Sequence, residues 1–172
     1  VTLPHISALP AEYSPLLETN PAYSLLPIAQ GFNWEAAFAA VTCGSWYLVV
    51  FRSRHKADAD EAYLTWLDAQ AAAAAIRTPG FLYYFMGVPL ADGHCLSFCL
   101  WNTQAAAQQG SADPAHREAM VKGLPAFEYY RLERYHVKKA DGVITFEAVS
   151  PDPHHHAGAP ADGTHGRAAA AR

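Results

Sequence analysis

The chain has few of the features that would fix its environment at once. Three cysteines, Cys43, Cys95 and Cys99, stand in 172 residues. Cys95 and Cys99 fall on one predicted strand, ~13 Å apart at ~3.3 Å per residue, which is beyond disulfide reach. No Cys-x-x-Cys pair or spaced Cys/His set suggests structural zinc, so the thiols read as reduced and buried and the protein as cytoplasmic. Lysine and arginine form no run, and the net charge is −4 with histidine neutral, which argues against nucleic acid as a partner. No apolar stretch approaches the ~20 residues of a membrane helix. The opening VTLPHISALPAEYSPLLETNP lacks the basic start of a signal peptide. GxGxxG, P-loop and GxSxG motifs are all missing, so neither a nucleotide site nor a serine-hydrolase elbow is expected.

What is present divides the chain in three. Residues 1–45 are the first part, and within them 1–31 are broken by Pro4, Pro10, Pro15, Pro21 and Pro27 and cannot form one helix. Tyr13, Leu16, Leu17, Tyr23, Leu25, Leu26 and Ile28 make them too apolar for a disordered tail. They read as an extended arm laid over the domain or over a neighbouring subunit. A short helix follows over 34–41, with Asn33 placed to cap it. Residues 46–149 hold the regular elements. Residues 150–172 are Pro, Ala, Gly, His and Thr with almost no large apolar side chain, the composition of a disordered tail. Metal binding by His154, His155, His156 and His165 there reads as adventitious, and no metal site is expected.

In the central segment, WYLVVFRSRH is a nearly continuous apolar strand. A helix starts at Asp58 or Asp60, with Tyr63, Trp66, Leu67, Ala71 and Ala74 as its apolar face, and Thr78-Pro79-Gly80 stops it. PGFLYYFMG and GHCLSFCLW are strands joined through a turn at Ala91-Asp92-Gly93. Leu96, Phe98 and Leu100 face one way, and Cys95, Ser97, Cys99 and Trp101 the other. Thr103 caps an alanine-rich helix, and Asp113-Pro114 starts another. An alternating strand, YYRLERYHVKK, follows, and residues 143–149 return as a further strand at the edge. The order β-α-β-β-α-β is the ferredoxin-like unit, an α+β sheet with helices on one face. Its other face, with Phe85, Phe98 and Tyr83 or Tyr84, would be left as a bare apolar patch, and a homodimer is the commonest cover.

CLSFCLWNTQAAAQQGSADPAHREAM resembles the antibiotic-biosynthesis-monooxygenase-like group of dimeric α+β barrel proteins. The resemblance rests on Trp101 ending a strand, Thr103 as cap, Ala105 to Ala107, and Ser111 through Asp113-Pro114 to His116, and it covers about residues 46–137. The chain is also similar to an uncharacterised fungal and bacterial set carrying YLVVFRS, PGFLYYF, LSFCLW, PAHREA and YRLERY. The wider resemblance implies a homodimer with a pocketed barrel. Cofactor-free monooxygenases of the group bind phenols between helices and sheet, and their chemistry needs a base and a cation.

On that footing His116 is the candidate base, its ring kept neutral near a helix N-terminus, and Arg131 or Arg134 the cation. Tyr83, Tyr84, Phe98, Trp101 and Asn102 are the candidate substrate-binding residues. The plainer alternatives are a surface or capping histidine, cross-strand ion pairing through Arg131, Glu133 and Arg134, and aromatics spent on the core. Heme-degrading members use Asn, Trp and His where this chain has Arg52 or Ser53, Gln109 and Met120. The expectation is therefore a small-molecule-binding protein that takes a small aromatic or polyketide-like ligand, acting as a cofactor-free monooxygenase or isomerase. The alternatives are a non-enzymatic dimeric barrel, or a heme-binding protein using His116, His94 or His136.

Overall fold

The structure is a computed structural model that describes residues 6–149. The expected order is present. Strand β2 (Gly44–His55) leads into helix α3 (Glu61–Ile76), strands β3 (Phe81–Phe85) and β4 (His94–Trp101), helices α4 (Gln104–Ser111) and α5 (Pro114–Gly123), and strand β5 (Phe127–Ala140). A short β1 (Ile6–Ser7) and the C-terminal β6 (Val143–Ala148) complete a sheet of order β1-β3-β4-β2-β5-β6. Every pairing is antiparallel, and the inner order β3-β4-β2-β5 is that of the ferredoxin-like fold. Among the described residues no helix is long and apolar enough to cross a membrane.

The helix ends follow from local chemistry. Asp60 accepts from the Tyr63 amide at 3.0 Å, Thr103 from Ala106 at 3.1 Å, and Asp113 from Ala115 at 2.8 Å with Pro114 in the first turn, each satisfying an orphan donor. Gly80 has φ 90°, a value L-residues avoid, and a side chain there would strike Asn102.

The largest departure from expectation concerns the sheet face without helices. It is not bare. The arm of the same chain covers it with η-turn and helical pieces, including α1 (Ile28–Gly31) and α2 (Trp34–Ala37). Leu16, Tyr23, Ile28, Phe32, Trp34 and Phe38 of the arm share one core with Leu48, Val50, Tyr83, Phe85, Leu96, Phe98 and Leu100 of the sheet. Each such side chain is worth about 1.5–3 kcal/mol when fully buried. Edge-to-face contacts knit the two layers, for instance Phe32 to Phe85 at 4.8 Å and Phe38 to Trp46 at 4.8 Å.

Polar side chains of the sheet also grip the arm's backbone. Arg52 donates to Ser24 O and Leu26 O, both at 2.6 Å, and Tyr83 to Leu16 O at 3.1 Å. Buried Lys139 donates to Phe38 O at 2.6 Å. These bonds answer carbonyls that the irregular arm cannot pair with itself. The apolar sheet face that the sequence reading left for a partner to cover is thus covered within one chain.

Two helices differ from the sequence reading. Asn33 does not cap α2; its Oδ1 accepts from Leu17 N at 2.7 Å and its Nδ2 donates to Pro15 O at 3.1 Å, so it pins the arm instead. The helix stops at Ala37 rather than near Val41, and the next residue, Phe38, is fully buried in the arm core. On α3, the buried face is Leu64, Leu67, Ala72, Ala74 and Ala75. Tyr63 and Trp66 are exposed and stack on each other at 5.9 Å.

Candidate functional site

Alternation along the strands sends Phe51 and Ser53 of β2, Tyr84 of β3, and Cys95, Ser97 and Cys99 of β4 to the helix side. Helices α3 and α5 pack over them, and Ala71, Ala72 and Ala75 of α3 are too small to fill the space beneath. Between lies a cavity of about 170 Å³, whose walls include Leu64, Leu67, Asp68, Ala72, Ala75, His116, Met120 and Phe127. The lining is mainly apolar and carries four sulfur side chains, Met86, Met120, Cys95 and Cys99.

Asp68 is the chemically distinctive group. It projects from the middle of α3 into this apolar space, and burial pushes its pKa up to about 6, with the Tyr84 hydroxyl bond pulling the other way. Tyr84 donates to Asp68 Oδ1, while Oδ2 is buried with no partner among the described residues. Ser97, whose Oγ accepts from the Gly87 amide at 3.0 Å, lies beside Tyr84 and acts to lower its pKa. Burial, and then the Asp68 charge, raise Tyr84 far above the usual phenol range, so it remains a donor. The arrangement fixes one carboxylate oxygen and leaves the other unpaired among the described residues.

His116 lines the same cavity from the first turn of α5. Its pKa is lowered, chiefly by burial, with the Asp113 carboxylate opposing. The sequence reading credited the helix terminus with keeping this ring neutral, whereas burial is the larger cause here. Tyr130, also on the helix side, is driven above its ordinary value by burial and bonds Met120 Sδ at 3.6 Å. At the cavity wall near the start of α3, His55 Nδ1 meets Glu61 Oε1 at 2.8 Å.

The other residues singled out from the sequence are dispersed. Tyr84 joins His116 at the cavity. Tyr83 and Phe98 lie on the opposite sheet face, inside the arm core. Trp101 is on the helix side but packs at the far end of β4, edge-on to Phe81 at 5.6 Å. Asn102 is exposed beside Gly80. Arg134 follows the helix-side parity of β5, near Tyr47 and Tyr130. Arg131 sits on the arm side, donating to Glu133 Oε1 at 2.6 Å. His94 lies in the same arm-side region, and His136 packs on Tyr47 at 5.4 Å. Of the cysteines, Cys95 and Cys99 are buried and free, and burial pushes Cys95 up to about 12; Cys43 is exposed, unlike the sequence reading. The expected disordered tail and its histidines lie outside the described residues. Asp68 was not singled out, although it is the lone acid of α3 after Glu61 and falls among small residues.

The family is settled by the match over residues 5–150. The chain belongs to the PB2B2.08-like family. Among solved structures it is similar to protein SO0527 from Shewanella oneidensis, at 19% identity and TM-score 0.49, over 56% of this chain and 94% of that one. It is likewise similar to SnoaB, a cofactor-independent oxygenase from Streptomyces nogalater, at 19% identity and TM-score 0.42, over 53% of this chain and 90% of that one. A dimeric ferredoxin-like protein of unknown function from Thermobifida fusca matches at 12% identity and TM-score 0.45, over 53% and 90%. No curated protein matches.

Proposed function

We propose that this member of the PB2B2.08-like family binds a single-ring aromatic or enolisable molecule in the helix–sheet cavity and removes a proton from it, as a cofactor-free monooxygenase or isomerase. The observation that carries the reading is Asp68, a buried carboxylate with one oxygen tied to Tyr84 and the other unpartnered. A pKa of about 6 leaves it mostly ionised at neutral pH yet basic enough to accept a proton. His116, neutral for lack of solvation, is the second proton carrier on the same wall. Asp68 replaces His116 as first base in this reading, because it is the more buried anion with a free oxygen.

Size narrows the substrate class. A cavity of about 170 Å³ is close to the ~150 Å³ space that accommodates benzene in a protein core. That suits one ring rather than a fused polyketide or a tetrapyrrole. The sulfur-rich wall favours an aromatic face. Once deprotonated, the substrate anion is electron-rich enough to react with oxygen directly. In a monooxygenation its CH₂ becomes C=O, and O₂ divides between that carbonyl and one water, with all the electrons coming from the substrate. In an isomerisation the proton returns at another carbon.

Both outcomes share the deprotonation step. The test is exchange of the carbon-bound hydrogen next to the carbonyl of single-ring enolisable ketones for deuterium under nitrogen, followed by oxygen uptake in air. Asp68→Asn is expected to slow exchange by about 10²–10⁴-fold. Wild-type exchange rates in Asp68→Asn would overturn the proposal.

A further inference from the structure

The face of the sheet opposite that cavity carries a second concavity, of about 410 Å³, where the arm segment 24–27 meets the outer end of β5. Its polar inventory is lopsided. Two guanidiniums, Arg52 and Arg131, meet one carboxylate, Glu133, so one positive charge is unmatched. Both Glu133 oxygens are already taken, Oε1 by Arg52 Nε at 2.8 Å and an Arg131 nitrogen at 2.6 Å, and Oε2 by the Tyr135 hydroxyl at 2.9 Å. Arg52 is held rigid, spending further donors on the Ser24 and Leu26 carbonyls. Arg131 makes a single bond to Glu133 and otherwise reaches into solvent, its side chain 68% exposed.

Ser24 adds an independent sign of a missing ligand. The residue is 3% exposed and lines the concavity, and its hydroxyl has no partner among the described residues. Donors therefore outnumber acceptors here, in a site with a fixed guanidinium floor and walls of Tyr129, Leu26 and Pro27. Such a site is completed by an acceptor-only group that carries one negative charge and a small apolar body.

We infer that this cleft is a binding site for a small monocarboxylate with an aromatic or short aliphatic body, recognised by Arg131 and the Ser24 hydroxyl. The site is separate from the Asp68 cavity because the sheet lies between them. A ligand here touches arm and sheet together, and so holds the arm in place by mass action.

Benzoate is the probe, with benzyl alcohol as the neutral analogue of the same size. Titration of the full chain is followed by amide NMR. Benzoate is expected to bind saturably and to shift amides at residues 24–27 and 129–135. Benzyl alcohol should bind about tenfold or more weakly, and Arg131→Gln should weaken benzoate by a similar factor. Arg131→Lys, which keeps the charge but not the planar fork, should fall between. Benzoate shifts confined to the residues around Asp68, equal affinity in Arg131→Gln, or equal affinity for benzyl alcohol would each overturn the inference.

Discussion

Tyr84 donates its hydroxyl to Oδ1 of Asp68, joining strand β3 of the sheet to the middle of helix α3 above it. The bond offsets only part of what it costs the fold to keep a carboxylate in an apolar space with its second oxygen unpaired. Sites that keep such a group at the expense of stability are typically those that use it.

The cost has a definite pH dependence. Asp68 has a folded pKa raised to about 6 from 3.8, so the folded chain binds the proton more tightly than the unfolded one. Stability from this group is therefore present below the unfolded pKa and is lost as pH rises through about 6. The full difference is roughly 3 kcal/mol. Asp68→Asn should be more stable than wild type at pH 8, by up to about this amount, and little changed near pH 3.5. Urea denaturation at the two pH values checks it; an equal effect at both would mean that Asp68 is not held against its charge.

His116 works in the opposite direction. Burial depresses its pKa below the ordinary 6.5, so the unfolded chain takes up the proton first and stability falls as pH drops below 6.5. His116→Gln should lose less stability than wild type between pH 7 and pH 5. Direct NMR titration of the ring gives the folded pKa, which should lie below the ordinary value.

Arg52 ties the arm to the sheet through the Ser24 and Leu26 carbonyls, and its charge is matched within the sheet by Glu133 in an almost fully desolvated pair, with side chains 11% and 8% exposed. Burial pushes Glu133 up, but Arg52 with Tyr135 and Arg131 more than offsets it, and the group stays ionised. Arg52→Ala leaves Glu133 with only the exposed Arg131 as counter-charge and frees the Ser24 and Leu26 carbonyls, and should cost about 2–4 kcal/mol. Amide exchange should rise first over residues 16–38. A uniform rise over the whole sheet would argue against a separately held arm.

The arm also bears on self-association. Deleting residues 1–40 exposes Phe85, Phe98, Leu96 and Leu100, an apolar face of the kind that drives pairing or aggregation. The shortened chain should therefore self-associate more strongly than the full one. Sedimentation of both at one concentration settles it, and identical behaviour would mean that the arm does not shield this face.

The register of α3 is where sequence and structure part. Strand order, the capping residues Asp60, Thr103 and Asp113, and the two faces of β4 were legible because each rests on local chemistry or strict alternation. On α3, alanine on every side flattens the apolar periodicity, and the aromatic pair Tyr63–Trp66 stood out in its place. With that face chosen, Asp68 fell outside it and was not singled out. The arm's destination was open for a different reason: its contacts with the sheet are between residues far apart in sequence, such as Arg52 with Ser24 and Lys139 with Phe38, and no periodicity encodes them. Leu64→Ala, on the observed face alone, should cost about 2–5 kcal/mol by opening the core, and Trp66→Ala well under about 1 kcal/mol; the reverse ranking would restore the sequence-based face.

The measurement that tests the central claim most directly is phenol binding to the full chain across pH, by calorimetry, for wild type and Asp68→Asn. Phenol itself stays neutral below its pKa of about 10, so any change near pH 6 belongs to the protein. If Asp68 is the acceptor in the cavity, affinity is constant above pH 7 and falls about tenfold as pH drops through about 6. In Asp68→Asn it is uniformly weak. Phenol binding that is the same in both proteins and flat with pH would contradict the account.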